Sequence, residues 1–161
     1  MSFESLFDYD GTAQAPTSDE LVFLPQANPE DWARLLEHTE ARRFSAGEVV
    51  VRQGGAEQEL YIVARGRLEV LVGDERDWKR VAVIEPGSVF GEQSFVDGKP
   101  RSASVRAITD GEIRTLSLQS FEVLAAKDAG LMRAVVFDLA RILSLRLRQT
   151  TARVQNLRGL G

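Results

Sequence analysis

The chain has 161 residues, a net charge of −4 and no cysteine. It is one domain by size, able to bury about 70% of its unfolded surface, and it has neither a disulfide framework nor a thiolate site for metal or nucleophilic chemistry. No apolar run approaches the roughly 18 residues of a spanning helix, and Met1-Ser2-Phe3-Glu4 lacks the basic start of a signal peptide, so a cytoplasmic location is expected.

Residues 1–40 hold nine acids and one base, and the remainder holds fifteen acids and nineteen bases. The acidic start reads as a solvated tail, with a docking segment for a basic partner as the alternative. Asp8, Asp10, Gly11, Pro16, Thr17 and Ser18 break any periodic pattern there. Phe3, Leu6, Phe7 and Tyr9 form a small apolar group, to pack on the domain or on a partner. Asn28-Pro29-Glu30-Asp31 then predicts a helix start, with Asn28 as N-cap and Pro29 at the first helical position. Trp32, Leu35 and Leu36 give that helix one apolar face. His38 is the one histidine. Metal sites and most acid–base catalysis want clustered ligands, so His38 is expected to be a surface or capping residue.

From Phe44 to Leu118 the texture is β. Strands are predicted at Val49 to Val51, Leu60 to Val63, Leu68 to Val72, Val81 to Ile84, Ser102 to Ala107 and Ile113 to Leu118. Glycines punctuate them, and turn signals at this spacing predict a mainly β sandwich, roll or barrel. Inside this region the stretch from Phe90 to Ala107 sets a carboxylate, Glu92, nine positions before a guanidinium, Arg101. Glu92 can accept from a ribose hydroxyl, and Arg101 can present a planar fork of donors to phosphate oxygens. The Gly91-Glu92 start lets backbone N–H groups at the head of a short helix point at the same anion. Ala103, Val105 and Ala107 alternate with Ser102, Ser104 and Arg106, which predicts a strand with the first set buried. Arg106 reads as a solvated charge or an ion-pair partner.

A helical tract is predicted from Phe121 to about Leu157, with a possible break at Asp128-Ala129-Gly130. Val136, Ala140, Leu143, Leu147, Thr150, Val154 and Leu157 recur at steps of four and three, a coiled-coil seam with one polar position. Met132, Val135, Leu139 and Ile142 form a second face to pack on the β region. A helix with two apolar faces is explained by contact with its own domain and with a second copy. Arg133, Arg141, Arg146, Arg148, Arg153 and Arg158 are expected to be solvated flanks, because the chain's charge is negative and no recognition helix follows.

Phe90-Gly91-Glu92 and Pro100-Arg101-Ser102-Ala103-Ser104-Val105 resemble, in type and spacing, the phosphate-binding cassette of the cyclic-nucleotide-binding domain family. Ala46-Gly47-Glu48, Arg52-Gln53-Gly54, Tyr61 to Gly66 and Pro86 to Glu92 match further landmarks, so the resemblance runs over about residues 40–157. Gln93 and Phe95 depart from it, standing where smaller or aliphatic residues are usual.

The resemblance implies a double-stranded β-helix (a β-roll, or jelly roll) with an N-terminal helix and a long C-terminal dimerisation helix. It divides the chain into an acidic flexible segment at 1–27, the roll with flanking helices at 28–130, and the dimerisation helix at 131–161. It implies a ligand-binding set of Gly91, Glu92, Gln93, Ser94, Arg101, Ser102 and Ala103. Residues 146–157 look like the dimerisation helix of the catabolite-activator-like members, and Thr150 and Thr151 are carried over as contacts to adenine in the same subunit and in the partner, with Thr150 as a register-setting seam residue the other reading. The expected ligand is cAMP, with cGMP left open by Ser102. No metal, cofactor or catalytic residue is expected, and no DNA-binding part. The leading expectation is a stand-alone homodimeric receptor acting through an unidentified protein; the alternative is an interaction module that kept the fold and lost the ligand.

Overall fold

The computed structural model describes residues 20–159. The apolar group at Phe3, Leu6, Phe7 and Tyr9 and the first nineteen residues of the acidic segment lie outside the described residues.

Helix α1 (Pro29–Leu36) starts as its sequence dictates. Asn28 Oδ1 accepts from Asp31 N at 2.8 Å, and Asp31 Oδ2 accepts from Asn28 N at 3.2 Å. This reciprocal capping box satisfies two N–H groups that the first turn cannot. At the far end His38 sits half-buried, with its Nδ1 3.0 Å from the Arg34 carbonyl oxygen.

Eight strands follow: β1 (Glu40–Phe44), β2 (Val49–Val51), β3 (Glu59–Arg65), β4 (Leu68–Val72), β5 (Lys79–Ile84), β6 (Val89–Phe90), β7 (Ser104–Ala107) and β8 (Gly111–Ser117). They form two four-stranded sheets, β1-β8-β3-β6 and β2-β7-β4-β5, in which every neighbouring pair is antiparallel. This is the jelly roll expected. Strand β3 joins its two cores. Leu60 and Ile62 point out to the helices, whereas Tyr61 and Val63 point into the roll with Phe44, Leu68, Val105 and Ile113. Period-two alternation puts successive side chains on opposite faces, and here both faces are covered.

Helix α2 (Glu92–Asp97) interrupts the strands, and α3 (Leu118–Lys127) and α4 (Ala129–Gly159) complete the described chain. The tract predicted from Phe121 begins earlier, at Leu118, because the Ser117 hydroxyl caps it by accepting from Ser120 N at 3.1 Å. The break falls at Asp128, whose carboxylate accepts from Leu131 N at 2.9 Å and opens α4. Met132, Val135, Leu139 and Ile142 are buried against β3, β8 and α3, as their spacing predicts, and Leu131 is buried beside them. No helix among the described residues is long and apolar enough to cross a membrane.

Two expectations are corrected. The β region starts at Glu40, not Phe44. In β1 only Phe44 is buried, and an edge strand made mostly of exposed charged residues carries no apolar alternation to read. Residues 21–24, placed by sequence in a flexible segment, are packed: Leu21, Phe23 and Leu24 are buried. Phe23 N donates to the Gly87 carbonyl at 2.9 Å, and Leu24 N donates to Asp138 Oδ2 of α4 at 2.7 Å. Arg141 Nη2 donates to the Val22 carbonyl at 2.7 Å and pairs with Asp138, closing the clasp.

Candidate functional site

The turn from β6 into α2 is a close approach of three chain segments. Gly91 has φ +79°, a left-handed conformation that favours glycine. A Cβ there would stand 2.7 Å from an Arg101 guanidinium nitrogen, 2.8 Å from the Glu59 carbonyl and 3.0 Å from the Tyr61 ring. Both backbone and space therefore demand glycine at this position. Gly98, also left-handed at φ +68°, ends α2 by donating to the Ser94 carbonyl, and the chain turns back toward Arg101.

Arg101 is 4% exposed. Its Nη1 donates to the Gly91 carbonyl and its Nη2 to the Glu59 carbonyl, each at 2.9 Å. The guanidinium lies over the Tyr61 ring, 5.2 Å from its centroid, a cation–π contact. The Tyr61 ring stacks in turn on Phe90. Its hydroxyl donates to Glu59 Oε2 at 2.8 Å. Burial, then the Glu59 carboxylate, push the Tyr61 phenol up to about 12, with Arg101 opposing. Arg101 Nε remains buried with no hydrogen-bond partner. The fork is thus fixed by two carbonyls and one ring, and holds an unused donor.

Glu92 is also 4% exposed, and a carboxylate that deep needs a partner. The partner is Arg146 of α4, whose Nη1 lies 2.6 Å from Glu92 Oε1 and whose Nη2 donates to the Val89 carbonyl at 2.6 Å. About two turns along, Arg153 donates to the Val81 carbonyl of β5, and burial lowers the pKa of its guanidinium below the usual range. Arg141, Arg146 and Arg153 therefore face the domain, not solvent as expected; Arg133, Arg148 and Arg158 are exposed as predicted. The spacing 146, 149, 150 and 153 puts these residues on one helix face.

A cavity of about 190 Å³ lies between these groups. Of the nine residues singled out from sequence, Gly91, Glu92, Gln93, Ser94, Arg101, Ser102, Ala103 and Thr150 line it, together with Arg146, Gln149 and Arg153. Thr151 does not; it is exposed on the other side of α4 and donates to the Leu147 carbonyl at 3.0 Å. The Thr150 hydroxyl donates to the Arg146 carbonyl at 3.1 Å, which leaves it an acceptor toward the cavity. Phe95 does not plug the space: its ring turns away into the helical core, edge-on to Phe121 at 5.5 Å. Ser104 is buried, its hydroxyl accepting from Gln53 N at 2.9 Å. Arg106 is an ion-pair partner of Glu69, at 2.6 Å, and covers the Trp78 ring. Among the described residues no group of three His or carboxylate side chains could hold a metal ion.

The cavity's chemistry is a carboxylate and an arginine converging on one space, and residues 41–128 match the model of the cyclic nucleotide-binding domain. The chain belongs to the cyclic nucleotide-binding domain family. It is 33% identical over 125 residues to the cyclic AMP receptor protein of Thermus thermophilus, covering 75% of this chain and 55% of the relative. It is 24% identical over 119 residues to a cAMP-dependent protein kinase regulatory subunit of Colletotrichum orbiculare, covering 74% and 30%. The crystal structure of the Thermus thermophilus catabolite activator protein superposes with a TM-score of 0.73 at 29% identity, covering 85% of this chain and 62% of that one. The chain thus spans about a third to three-fifths of the length of these relatives, whose names describe receptors and regulators.

Proposed function

We propose that this cyclic nucleotide-binding domain is a receptor for cAMP that changes the position of α4 on binding and passes that change to a partner protein. It acts as a receptor in its own right, without catalysis. One observation carries the reading: Glu92 and Arg101 line the same cavity, and a helix closes over it. Arg101 offers Nε–H to a phosphate oxygen, relieving a buried donor that lacks a partner. Arg146 takes Glu92 Oε1, and the second oxygen accepts from the ribose 2′-hydroxyl. The ligand then joins an ion pair that already ties α4 to the cassette. It shifts the helix only as far as it binds one helix position more tightly than another.

The exposed seam on α4, with Leu147 66% and Leu157 76% accessible, fits a second copy of the same helix. Thr151, which faces away from its own cavity, is then available to a ligand held by the partner subunit. cAMP is preferred over cGMP because Thr150 presents an acceptor to an amino group. Ser102, also on the cavity wall, supports cGMP as the second reading.

A cyclic nucleotide of about 22 heavy atoms at roughly 0.3 kcal/mol per atom gives a Kd near 10 μM. Calorimetry with cAMP and cGMP tests the proposal. Arg101→Ala is expected to weaken cAMP binding by about 2–5 kcal/mol, into the millimolar range. Arg101→Lys is expected to weaken it too, because a lysine cannot reproduce the fork. Near wild-type affinity in both variants removes Arg101 from the role. A pull-down with and without nucleotide tests the partner.

A further inference from the structure

We propose that Gln149 reads the edge of the ligand's heterocyclic base, its carboxamide pairing with an amino donor and the ring-nitrogen acceptor beside it on a 6-aminopurine. This rests on the cyclic-nucleotide reading above and extends it to base recognition.

Two buried side-chain nitrogens among the described residues have no hydrogen-bond partner, Arg101 Nε and Gln149 Nε2, and both residues line the same cavity. A sealed donor without an acceptor is costly and rarely kept without cause. Arg101 has its cause in phosphate. Gln149 lies at the other wall, three residues beyond Arg146 on the same helix face. Opposite it are Val70, Val81 and Val83 of β4 and β5, an apolar surface suited to the flat face of a base. Thr150 next to it has already given its hydroxyl hydrogen to the Arg146 carbonyl, so it can accept one amino hydrogen and donate nothing. It cannot report a ring nitrogen. A carboxamide carries donor and acceptor side by side, the pattern that recognises adenine bidentately.

The test is calorimetry of the full chain, wild type and Gln149→Leu, with cAMP and with the 6-chloropurine riboside 3′,5′-cyclic phosphate, which lacks the amino donor. The wild type is expected to bind the chloro compound about tenfold more weakly than cAMP, in line with one base-edge contact. In Gln149→Leu, cAMP is expected to weaken about tenfold, and the gap between the two ligands to shrink to about threefold or less. Gln149→Glu, which keeps the acceptor and loses the donor to the ring nitrogen, is expected to weaken both ligands and keep the gap between them, and it carries the test should the leucine variant fail to fold: unchanged affinities in it overturn the role of Gln149. An unchanged gap in Gln149→Leu overturns the role of Gln149 and leaves the receptor reading standing. A wild type that binds cAMP, cGMP and the chloro compound equally poorly overturns both.

Discussion

The two halves of α4 are held to the domain by different forces. Up to Ile142 the helix is seated by apolar packing, with Leu131, Met132, Val135, Leu139 and Ile142 all buried. Beyond it, the links to the roll are polar: Arg146 to Glu92 and Val89, and Arg153 to Val81. Leu145 still packs on the helical core, and farther along Leu147, Val154 and Leu157 face outward. Apolar contact is tied to area and strong in aggregate, whereas a few directed bonds at a cavity wall can be exchanged for bonds to a ligand. The first half is thus an anchor, and the second half is the part that the proposed function would have a ligand move.

The largest expected effect breaks the anchor. Ile142→Ala removes a fully buried side chain and should cost about 2–5 kcal/mol in urea unfolding. A loss under 1 kcal/mol would mean that this half is not seated as described.

The next sharpens the contrast from the roll side, beneath Arg101. The Tyr61 phenol is raised from about 10 to about 12 in the folded protein. Its contribution is fully present below pH 10 and is lost as pH rises through 12, because the unfolded chain ionises first. Over that window stability should fall by about 2–3 kcal/mol, and Tyr61→Phe should remove that part of the slope. The measurement is urea unfolding at several pH values between 9 and 12; identical slopes in wild type and variant would discard the assignment.

Arg146→Met should then separate the two halves. It leaves Glu92 buried without its cation, a loss of about 1–3 kcal/mol. Amide exchange is expected to speed up over residues 146–159 while the amides of Val135 and Ile142 keep their protection. Uniform loss along α4 would show one cooperative helix instead of two differently held halves. Smallest in folding terms is Leu147→Ser, an exposed position expected to shift stability by less than about 0.5 kcal/mol. Its effect should appear instead as weaker self-association in sedimentation across protein concentrations. Unaltered association would remove the seam from the proposed self-association.

The same contrast divides what was legible in the sequence. The cassette is local: Gly91, Glu92 and Arg101 lie within eleven consecutive residues, and their spacing predicts their convergence. The α1 cap and the break at Asp128 are likewise short-range chemistry. The apolar face of α4 was readable because its period is its own. The inward turn of Arg141, Arg146 and Arg153 was not, since an arginine on a helix reads as solvated until the neighbour it meets is known. Glu92 is 54 positions from Arg146, and Val81 is 72 from Arg153. Strand β1 was hidden for a related reason: it is recruited by pairing with β8, along Glu40 to Phe44, and not by a buried face of its own.

The clasp of Asp138 and Arg141 on residues 20–24 has a practical consequence for anyone building a reporter from this protein. The polypeptide that leads into the roll is fastened to the middle of α4, near the boundary between its anchored and movable halves. A bulky fusion placed ahead of residue 20 would pull on that fastening, so a fluorophore pair meant to follow α4 without disturbing it belongs on exposed sites such as Val123 of α3 and Gln155 near the helix tip.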